Sequence, residues 1–445
     1  MQSLFSTAAA LLLCEKIETA AEPPARRLLD NLGYALPSAG DVDEEALHRA
    51  RLLQAAAKFN RIFELSVPDA PGLVAFGAEI NPALADPLHA GSPPVSVSGV
   101  GSSVQEAFQG CVGEGIEYLS QLHSSADVLS RADWTTEAAL LDPEARALIG
   151  ELARSRASAD PALSWFAAVR LADGGHVRLP ADLCLRRPPG LQEFVPPFPL
   201  STGSAAGTSW EAAALHGLLE LIERDAASLW WRGGSFGCAV PASVEAEAER
   251  LLLELRSGAS SSRRSWLLDI TTDLGIPCIA ALSCQPDGRG LAFGLASRLT
   301  LQAAARSAIF ELCQIELAYA VIDAKRRERG EAALNARDRV HVQRSIAIDA
   351  DRCALLRPVA GRAQHMSIDP SDKPRALAAL VRYLGERGIA TYGLDLTRPR
   401  FAIPVARIIA PALQAEPSQI VTGRLANTIA QTGGGATYTG GISLI

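Results

Sequence analysis

Two pairs of glutamates stand three residues apart in sequence that favours helices. Glu114 and Glu117 form the first pair, and Glu220 and Glu223 form the second. Because residues i and i+3 lie on one face of an α-helix, each pair presents two carboxylates in the same direction. Four convergent carboxylates repel one another unless a cation lies between them. Mg²⁺ is the natural candidate, since it binds one or two carboxylates together with phosphates and waters, whereas zinc and iron prefer His or Cys.

The alternative interpretation is that each pair belongs to a solvated, charged helix face, which is the commoner setting of this spacing. Two features favour a site. The first helix contains Gly110, Gly113 and Gly115, each of which costs up to ~1 kcal/mol relative to alanine in a helix interior. Such a cost is tolerated most readily where something must approach the backbone closely. The second helix embeds its glutamates among leucine and isoleucine, where a solvent-facing pair would have more polar neighbours.

A third predicted helix carries polar residues at a comparable depth. Gln302, Arg306, Glu311 and Gln314 follow one another at helical spacing. Arg306 lies among alanines, one turn from Gln302 and Glu311, so its guanidinium is available to a phosphate oxygen while the amides bind a sugar or base. This pattern predicts a binding site for a phosphorylated ligand.

Each of the three helices starts at a predicted N-cap that follows a glycine. The caps are Ser103, Thr208 and Thr300, and the first two have Glu106 and Glu211 three residues later, as in a capping box. The polar residues of interest come about three turns after these caps, roughly 17 Å along the helix axis at 1.5 Å per residue. We therefore expect the three helices to bring these side chains to one site.

The rest of the sequence predicts the scaffold of this site. Helices of ten or more residues are predicted at about 103–121, 209–231, 244–257, 300–322 and 374–387, and strands at 163–171, 265–270, 277–283, 290–295 and 402–410. They alternate without the regular period of a barrel, which predicts an α+β fold with a layered α/β core.

Both ends of the chain differ in composition from the middle. Residues 1–65 are rich in Ala and Leu, with an interruption at Pro23 and Pro24, and predict a segment of short helices. Residues 431–445 contain five glycines, which is too many for a packed element, and predict a flexible tail.

Composition excludes several classes of protein. With 445 residues, 48% hydrophobic and 20% charged, the chain is neither disordered nor a coiled coil. A net charge of −7 and the lack of a Lys/Arg cluster argue against nucleic-acid binding. The eight cysteines form no C-x-x-C pair, and no apolar run reaches the ~18 residues of a membrane span. We predict a cytoplasmic protein with reduced thiols and no membrane association.

Three competing motifs fail on inspection. No G-x-x-x-x-G-K-[ST] sequence exists, which excludes a P-loop. The glycines at 99 and 101 lack the third glycine of a dinucleotide-binding fingerprint, because position 104 is Val. Residues 233–237 fit G-x-S-x-G, but a helix precedes them, so a helix C-cap and turn is the favoured interpretation. A serine hydrolase that uses Ser235 is the alternative.

The spacing of four segments resembles the YcaO family, enzymes that use ATP to activate a peptide backbone amide. The resemblance covers residues 95–410, which lie within a predicted catalytic domain of residues 66–430. The matching segments are 99–101 with 114–117, 201–207 with 220–225, 302–314, and 395–397 with 404–411. Their order and spacing together are specific, although each segment alone is weak.

The resemblance implies a set of site residues and a reaction. Mg²⁺ ions that bridge the triphosphate of ATP would be held by four residues: Glu114, Glu117, Glu220 and Glu223. The nucleotide site would be completed by Gln302, Arg306, Glu311, Gln314, Arg224, Thr202 and Thr208. Arg224 has an alternative role as a simple i to i+4 ion pair with Glu220. In the family mechanism a nucleophile adds to the amide carbonyl, the oxyanion takes the γ-phosphoryl group, and phosphate leaves with the former amide oxygen.

The resemblance also implies partners, and the chain departs from the family in ways that leave the product open. The substrate would be a ribosomally made precursor peptide, with a partner protein that recognises its leader or delivers sulfur. The segment 1–65 would dock that partner or form a homodimer. Tyr118 replaces an expected arginine, Thr202 and Thr208 stand where Asn is frequent, and a proline-rich C-terminus is missing. Azoline formation, thioamide formation, another amide modification and a nucleotide-binding accessory role therefore all remain possible outcomes.

Overall fold

The computed structural model describes residues 2–37, 42–156, 160–258, 263–361 and 363–444. Within these ranges the helices are α1 Gln2–Leu12, α2 Glu22–Asn31, α3 Glu44–Ala56, α4 Val104–Gln121, α5 Trp134–Ala138, α6 Pro143–Ser155, α7 Ala181–Cys184, α8 Trp210–Trp231, α9 Ala242–Leu255, α10 Leu301–Arg329, α11 Ala336–Ala347, α12 Lys373–Gly385, α13 Gly423–Thr432 and α14 Ala436–Thr439. The strands are β1 Arg61–Leu65, β2 Val74–Ile80, β3 Val95–Gly101, β4 Ser130–Asp133, β5 Ala162–Arg170, β6 Gly175–Pro180, β7 Ser204–Ala206, β8 Arg264–Asp269, β9 Cys278–Cys284, β10 Ala292–Ser297, β11 Tyr392–Asp395 and β12 Val405–Ile409.

The strands form three antiparallel sheets. The first sheet has the order β1-β2-β3, and the third has the order β10-β9-β8. The second sheet has the order β4-β5-β11-β12-β7, with β6 also paired to β5. Helices and sheets therefore form separate layers, and the predicted α+β fold class is confirmed. All five long helices predicted from the sequence are present.

Three long helices each lie on a different sheet. Helix α4 packs on β3 and β2, α8 packs on β12 and β7, and α10 packs on β10 and β9. Each helix also contacts a strand of a neighbouring sheet: α4 contacts β7, α8 contacts β10 and α10 contacts β3. The three strand–helix units are thus arranged in a ring, in which each unit contacts both of the others.

Two glycines allow strands to approach these helices closely. A Cβ atom on Gly99 in β3 would lie 2.1 Å from the backbone N of Cys111 in α4. A Cβ atom on Gly294 in β10 would lie 2.1 Å from the carbonyl oxygen of Ala308 in α10. Both contacts are to backbone atoms, which cannot turn aside as a flexible side chain would. The absence of a side chain therefore sets the spacing between each strand and its helix.

Replacing Gly294 by Ala is expected to lower the free energy of unfolding by about 1–3 kcal/mol, the usual cost of overpacking a core. Urea denaturation of the two proteins measures this difference. Gly190→Ala is the matched control, since a Cβ atom there meets nothing within 4 Å, and its effect should stay within about 0.5 kcal/mol. Equal stabilities of the two variants would contradict the close approach of β10 to α10.

The N-terminal helices pack onto α4. Phe5 of α1 stacks on Phe108 of α4 with ring centroids 5.8 Å apart, and both side chains are buried. A Cβ atom on Gly115 would lie 2.6 Å from the ring of Phe59, so core packing explains this glycine and no approaching ligand is needed. Strand β1 pairs with β2 across residue 65. The division of the chain at that residue stays a prediction.

The glycine-rich C-terminal segment is packed, contrary to our prediction for residues 431–445. It continues α13 into α14, and Leu444 is fully buried. The indole Nε1 of Trp231 donates to the carbonyl oxygen of Ile442 at 2.6 Å. A Cβ atom on Gly435 would lie 1.7 Å from the carbonyl oxygen of Trp231. Glycine here permits contact with α8, and the prediction of an unpacked tail was wrong for the part up to residue 444.

The cysteines and the helices also bear on the compositional predictions. All eight cysteines are free thiols, and six of them are buried. In the described ranges of the chain, no helix combines the length and the apolar character needed to cross a membrane.

Candidate active site

One glutamate in each of the three helices accepts a hydrogen bond from the strand or turn that precedes the helix. These bonds run from Ser98 N to Glu114 Oε2 (3.0 Å), from Gly203 N to Glu220 Oε2 (3.1 Å) and from Leu295 N to Glu311 Oε2 (2.8 Å). The donor and the acceptor are 16, 17 and 16 residues apart in the sequence. The three carboxylates are therefore fixed at corresponding positions in the three units.

The residue three positions after the anchored glutamate connects two of the units to their neighbours. Glu223 in α8 accepts a hydrogen bond from the backbone N of Ser297, at the end of β10, at 3.2 Å. Gln314 in α10 donates from Nε2 to Ser98 Oγ in β3 at 2.8 Å. Glu117 occupies the corresponding position in α4 and accepts from Gln121 Nε2 at 3.0 Å. Glu223 and Gln314 thus connect their units to a neighbour, whereas Glu117 bonds within its own helix.

Burial raises the pKa values of these carboxylates, and their mutual repulsion adds to the effect. The pKa of Glu117 lies well above its usual range because of burial, with Glu220 and Glu114 adding repulsion. Burial raises the pKa of Glu223 to about 8, with further contributions from Glu311 and Glu220 that Arg224 partly offsets. Burial also raises the pKa of Glu220 and of Glu311. A bound cation would displace the protons that these groups retain and would offset the repulsion between the carboxylates.

Arg224 supplies one positive charge to this cluster. Its Nη2 lies 3.5 Å from Glu220 Oε1 and 3.7 Å from Glu223 Oε1. The predicted i to i+4 ion pair with Glu220 is therefore present, and Glu223 is a second partner. Although burial opposes the charge, the neighbouring carboxylates raise the pKa of Arg224. Arg298 also acts on Glu223 and Glu311, and Arg407 on Glu117 and Glu220, yet the pKa values of all four carboxyl groups stay raised.

The carboxylates fit magnesium held together with a phosphate ligand. Among the described residues, no three His, Cys, Asp or Glu side chains converge closely enough to hold a metal ion by themselves. Mg²⁺ usually takes only one or two carboxylates and completes its octahedron with phosphate oxygens and water. The separate anchoring of Glu114, Glu220 and Glu311 agrees with that requirement. The assignment of Mg²⁺ to particular glutamates stays a prediction.

Arg306 and Gln302 lie on the outer part of α10. The Nη2 group of Arg306 lies 2.9 Å from Ser102 Oγ and 3.0 Å from Glu106 Oε1, and its guanidinium covers the ring of Phe310 at 4.3 Å. Gln302 and Arg306 both line a cleft of about 410 Å³ between α9 and α10. The structure therefore places Gln302 and Arg306 at the edge of the three-helix arrangement. Glu311 and Gln314 lie deeper, where neighbouring strand–helix units meet.

The two threonines of the predicted nucleotide site occupy different environments. Thr202 is buried and lines a small apolar cavity of about 40 Å³ with Arg407. Thr208 is exposed. It is not the N-cap of α8, because Ser209 Oγ accepts the N–H of Ala212 instead. The predicted capping box at Thr208 was wrong by one residue, since the first turn of α8 begins at Trp210.

The other two predicted caps are present. Ser103 Oγ accepts the N–H of Glu106 at 3.2 Å, and Thr300 Oγ1 accepts the N–H of Ala303 at 3.3 Å. The Glu106 carboxylate bonds Ser102 in place of the Ser103 backbone. The reciprocal half of this capping box is therefore shifted by one residue, which leaves Glu106 in position to pair with Arg306.

Arg407 is a buried residue beside the site that the list of predicted site residues omitted. It is fully buried, donates from Nε to the carbonyl oxygen of Leu183 at 3.0 Å and from Nη1 to Ser204 Oγ at 3.1 Å. Nη1 also bonds the carbonyl oxygen of Leu200. These bonds hold the turn whose Gly203 N–H reaches Glu220. The signal was available, because Arg407 lies in the segment 404–411 that carries the family resemblance.

Arg186 is a second arginine that sequence analysis did not single out. Its guanidinium lies 5.3 Å from the ring centroid of Tyr118, the position where the resemblance leads us to expect arginine. Its Nε donates to Gln121 Oε1 at 2.7 Å. A positive charge thus stands beside Tyr118, although it comes from the segment after α7. No pattern in the sequence distinguishes Arg186 from its neighbour Arg187.

Comparison with solved structures shows a similar fold in a heterocyclase, a YcaO protein and a microcin synthetase complex. A heterocyclase in complex with substrate and cofactor superposes with a TM-score of 0.68 at 22% identity, covering 88% of this chain and 55% of that chain. YcaO from Methanopyrus kandleri, bound with AMPPCP and Mg²⁺, gives 0.54 at 17% identity, with coverages of 82% and 89%. The E. coli microcin synthetase McbBCD complex gives 0.57 at 14% identity, with coverages of 79% and 87%.

The chain spans about half the length of the first of these heterocyclases. No curated protein is a significant match. The model of one family, described as YcaO cyclodehydratase, ATP- and Mg²⁺-binding, matches residues 98–414. This match includes all three helices that carry the anchored glutamates. Since it covers more than half of the sequence, the chain belongs to the YcaO family, whose cofactors are ATP and Mg²⁺.

Proposed function

We propose that the protein is a Mg²⁺- and ATP-dependent cyclodehydratase that phosphorylates a backbone amide in a ribosomally made precursor peptide and forms azoline rings. The observation that carries this proposal is the set of carboxylates from three helices, each anchored to its own strand. Their raised pKa values mark negative charge that a divalent cation would relieve. The family description adds the reaction class.

The reaction balances without an oxidant or reductant. A Cys, Ser or Thr side chain adds to the preceding amide carbonyl, and the former carbonyl oxygen bonds the γ-phosphorus as the bond to ADP breaks. Loss of phosphate with that oxygen leaves a C=N double bond. The protons of the nucleophile and of the amide nitrogen pass to bases or water. Bound Mg²⁺ would neutralise the charge on the transferred phosphoryl group.

The chain's own residues have distinct parts in this proposal. Glu114, Glu117, Glu220 and Glu223 hold Mg²⁺ at the junctions between the units, and Arg224 orients the second pair. Gln314 joins α10 to β3 and fixes the spacing of the site. Four further residues contact the nucleotide from α10 and from the two turns before α8: Gln302, Arg306, Thr202 and Thr208. Glu311 is positioned by β10 to assist them.

Substrate and partner are proposed from the solved relatives. One is a heterocyclase in complex with its substrate, and the microcin synthetase complex has also been solved with pro-MccB17 bound. We infer that this chain acts on a precursor peptide together with a partner protein that recognises the leader or, for a thioamide product, delivers sulfur. The segment 1–65 would dock the partner or a second copy of the chain. The cytoplasm, where precursors are synthesised, is the proposed location.

The proposal is tested with the precursor peptide encoded beside the gene, the neighbouring proteins, ATP and Mg²⁺. Mass spectrometry should show the loss of one water per ring, with one ADP formed for each. Peptide labelled with ¹⁸O at the modified amide should pass that label to phosphate. Exchange of oxygen for sulfur would identify a thioamide product instead. ATP hydrolysis without any change in the peptide would favour the accessory role.

A further inference from the structure

Arg186 is fixed to the C-terminal end of α4 by backbone contacts. Its N–H donates to the carbonyl oxygen of Gln121 at 2.7 Å, and Leu122 and Arg186 form an isolated parallel bridge. The segment that follows α7 therefore runs beside the last turn of α4. Glu117 lies one turn before this junction, so Arg186 lies next to one of the proposed metal ligands.

An amide links the Arg186 guanidinium to Glu117. Arg186 Nε donates to Gln121 Oε1 at 2.7 Å, and Gln121 Nε2 donates to Glu117 Oε1 at 3.0 Å. Glu117 and Arg186 also influence one another electrostatically. The guanidinium is thus aligned with the carboxylate cluster by a neutral side chain, which leaves its positive charge available to a ligand.

The neighbouring arginine, Arg187, forms ion pairs within the protein, as expected for a structural role. Arg187 is buried and pairs with Asp182 Oδ1 at 3.2 Å and with Glu193 Oε2 at 3.4 Å. For Arg186, by contrast, no carboxylate in the described residues lies within 4.0 Å. Within the same ranges its two Nη groups donate no hydrogen bond. A partly buried guanidinium without a counter-ion is suited to bind an anion.

Arg186 and Tyr118 stand at the wall of a cleft of about 430 Å³. Its lining includes five prolines: Pro82, Pro188, Pro189, Pro196 and Pro199. Proline has no backbone N–H and a fixed φ, so this part of the lining is rigid, while His89, Ser92 and Gln192 add polar groups. Phe198 adds an aromatic ring. The cleft, here termed the proline cleft, combines a cationic group beside the carboxylate cluster with rigid proline walls and polar side chains.

We propose that Arg186 contacts the γ-phosphoryl group as it passes from ATP to the peptide, and that the proline cleft holds the acceptor peptide. This rests on the proposed function. During the step the bond between the γ-phosphorus and the oxygen of ADP breaks, and its electron pair stays on ADP. A bond to the former amide oxygen forms. Arg186 donates to the equatorial phosphoryl oxygens, where negative charge must be stabilised.

The first test compares two nucleotides that differ at the γ-position. Calorimetric titration of Arg186→Gln with AMPPCP and with ADP, both with Mg²⁺, should show AMPPCP affinity reduced about tenfold or more, as for a lost charged hydrogen bond. ADP affinity should change less than about twofold. Arg387→Gln is the control, because Arg387 lines a different cavity of about 600 Å³. Equal effects on AMPPCP and ADP, or no effect on either, would overturn the assignment of Arg186.

A second variant keeps this test informative if Arg186→Gln unfolds. Arg186→Lys retains the charge, and it should bind AMPPCP more tightly than Arg186→Gln does. If Arg186→Gln is unstable, Arg186→Lys should still bind AMPPCP more tightly than ADP. A Lys variant that binds ADP normally but has lost all preference for AMPPCP would contradict a role of the charge. If the unmodified protein binds no AMPPCP at all, the proposed function fails first, so the two failures are distinguishable.

The peptide part of the proposal has its own test. Ser92 is exposed and lines the proline cleft, so Ser92→Trp should obstruct the cleft without disturbing the core. The KM for the precursor peptide is expected to rise about tenfold, the effect of roughly 1.4 kcal/mol, while AMPPCP affinity stays unchanged. Ser371→Trp, at an exposed serine outside the cleft, is the control. An unchanged KM in Ser92→Trp would contradict peptide binding in this cleft.

Discussion

Replacing Glu223 by Gln is expected to reduce Mg²⁺-dependent ATP turnover about 100-fold or more. The carboxylate is buried, bridges α8 to β10 through Ser297, and has a pKa raised to about 8 by burial and by neighbouring Glu311 and Glu220. Gln keeps the size and the hydrogen bond but removes the charge that would hold the metal in the proposed site. Loss of several kcal/mol of metal-mediated stabilisation corresponds to a rate decrease of this size. Steady-state ADP release at saturating peptide measures it.

Glu249→Gln is the matched control for that experiment. Glu249 is exposed on α9, so the same substitution there should leave turnover within about twofold, as for most surface changes. Unfolding midpoints of both variants should remain close to that of the unmodified protein. If Glu223→Gln retained full turnover and the same Mg²⁺ dependence, the location of the metal site would be wrong.

The metal-free protein is expected to lose stability between about pH 5 and pH 8, and Mg²⁺ with a nucleotide is expected to restore it. Glu223 has a pKa raised from 4.5 in the unfolded chain to about 8 in the folded one. In this window the folded state binds more protons than the unfolded state, so the free energy of unfolding falls as pH rises. Glu117, Glu220 and Glu311 shift in the same direction. Melting temperatures in EDTA across this range measure the loss.

A variant that lacks the Glu223 charge distinguishes the contribution of the site to the pH dependence of stability from that of the rest of the molecule. Glu223→Gln should show a shallower loss of stability with pH, because one of the shifted groups no longer ionises. Glu249→Gln should follow the unmodified protein, since that side chain is exposed. A melting temperature in EDTA that falls equally in all three proteins would show that the pH dependence arises outside the carboxylate cluster.

Local sequence features were sufficient to predict the elements that carry the site. The i, i+3 spacing of glutamates in apolar sequence, and the caps at Ser103 and Thr300, correctly indicated the helices and their direction. The matching depth of the polar residues is explained by the anchoring of Glu114, Glu220 and Glu311 to the strands before them. Periodicity and capping act within one element, which is why they are readable from the sequence.

Contacts between distant segments could not be predicted in this way. Arg186 reaches Tyr118 and Gln121 only because the segment after α7 runs beside α4. The packing of Gly435 against the Trp231 carbonyl similarly depends on where α8 ends. Glycine enrichment signals either mobility or close approach, and composition alone does not distinguish the two. Tertiary contacts decided both cases.

The central claim is that the three strand–helix units form one magnesium-dependent nucleotide site. Calorimetric titration of the purified protein with AMPPCP, in Mg²⁺ and then in EDTA, tests it most directly. We predict micromolar affinity in Mg²⁺, loss of binding in EDTA, and weak binding by Glu223→Gln in both. A folded protein that binds no AMPPCP, or that binds it equally well in EDTA and in Glu223→Gln, would contradict the account.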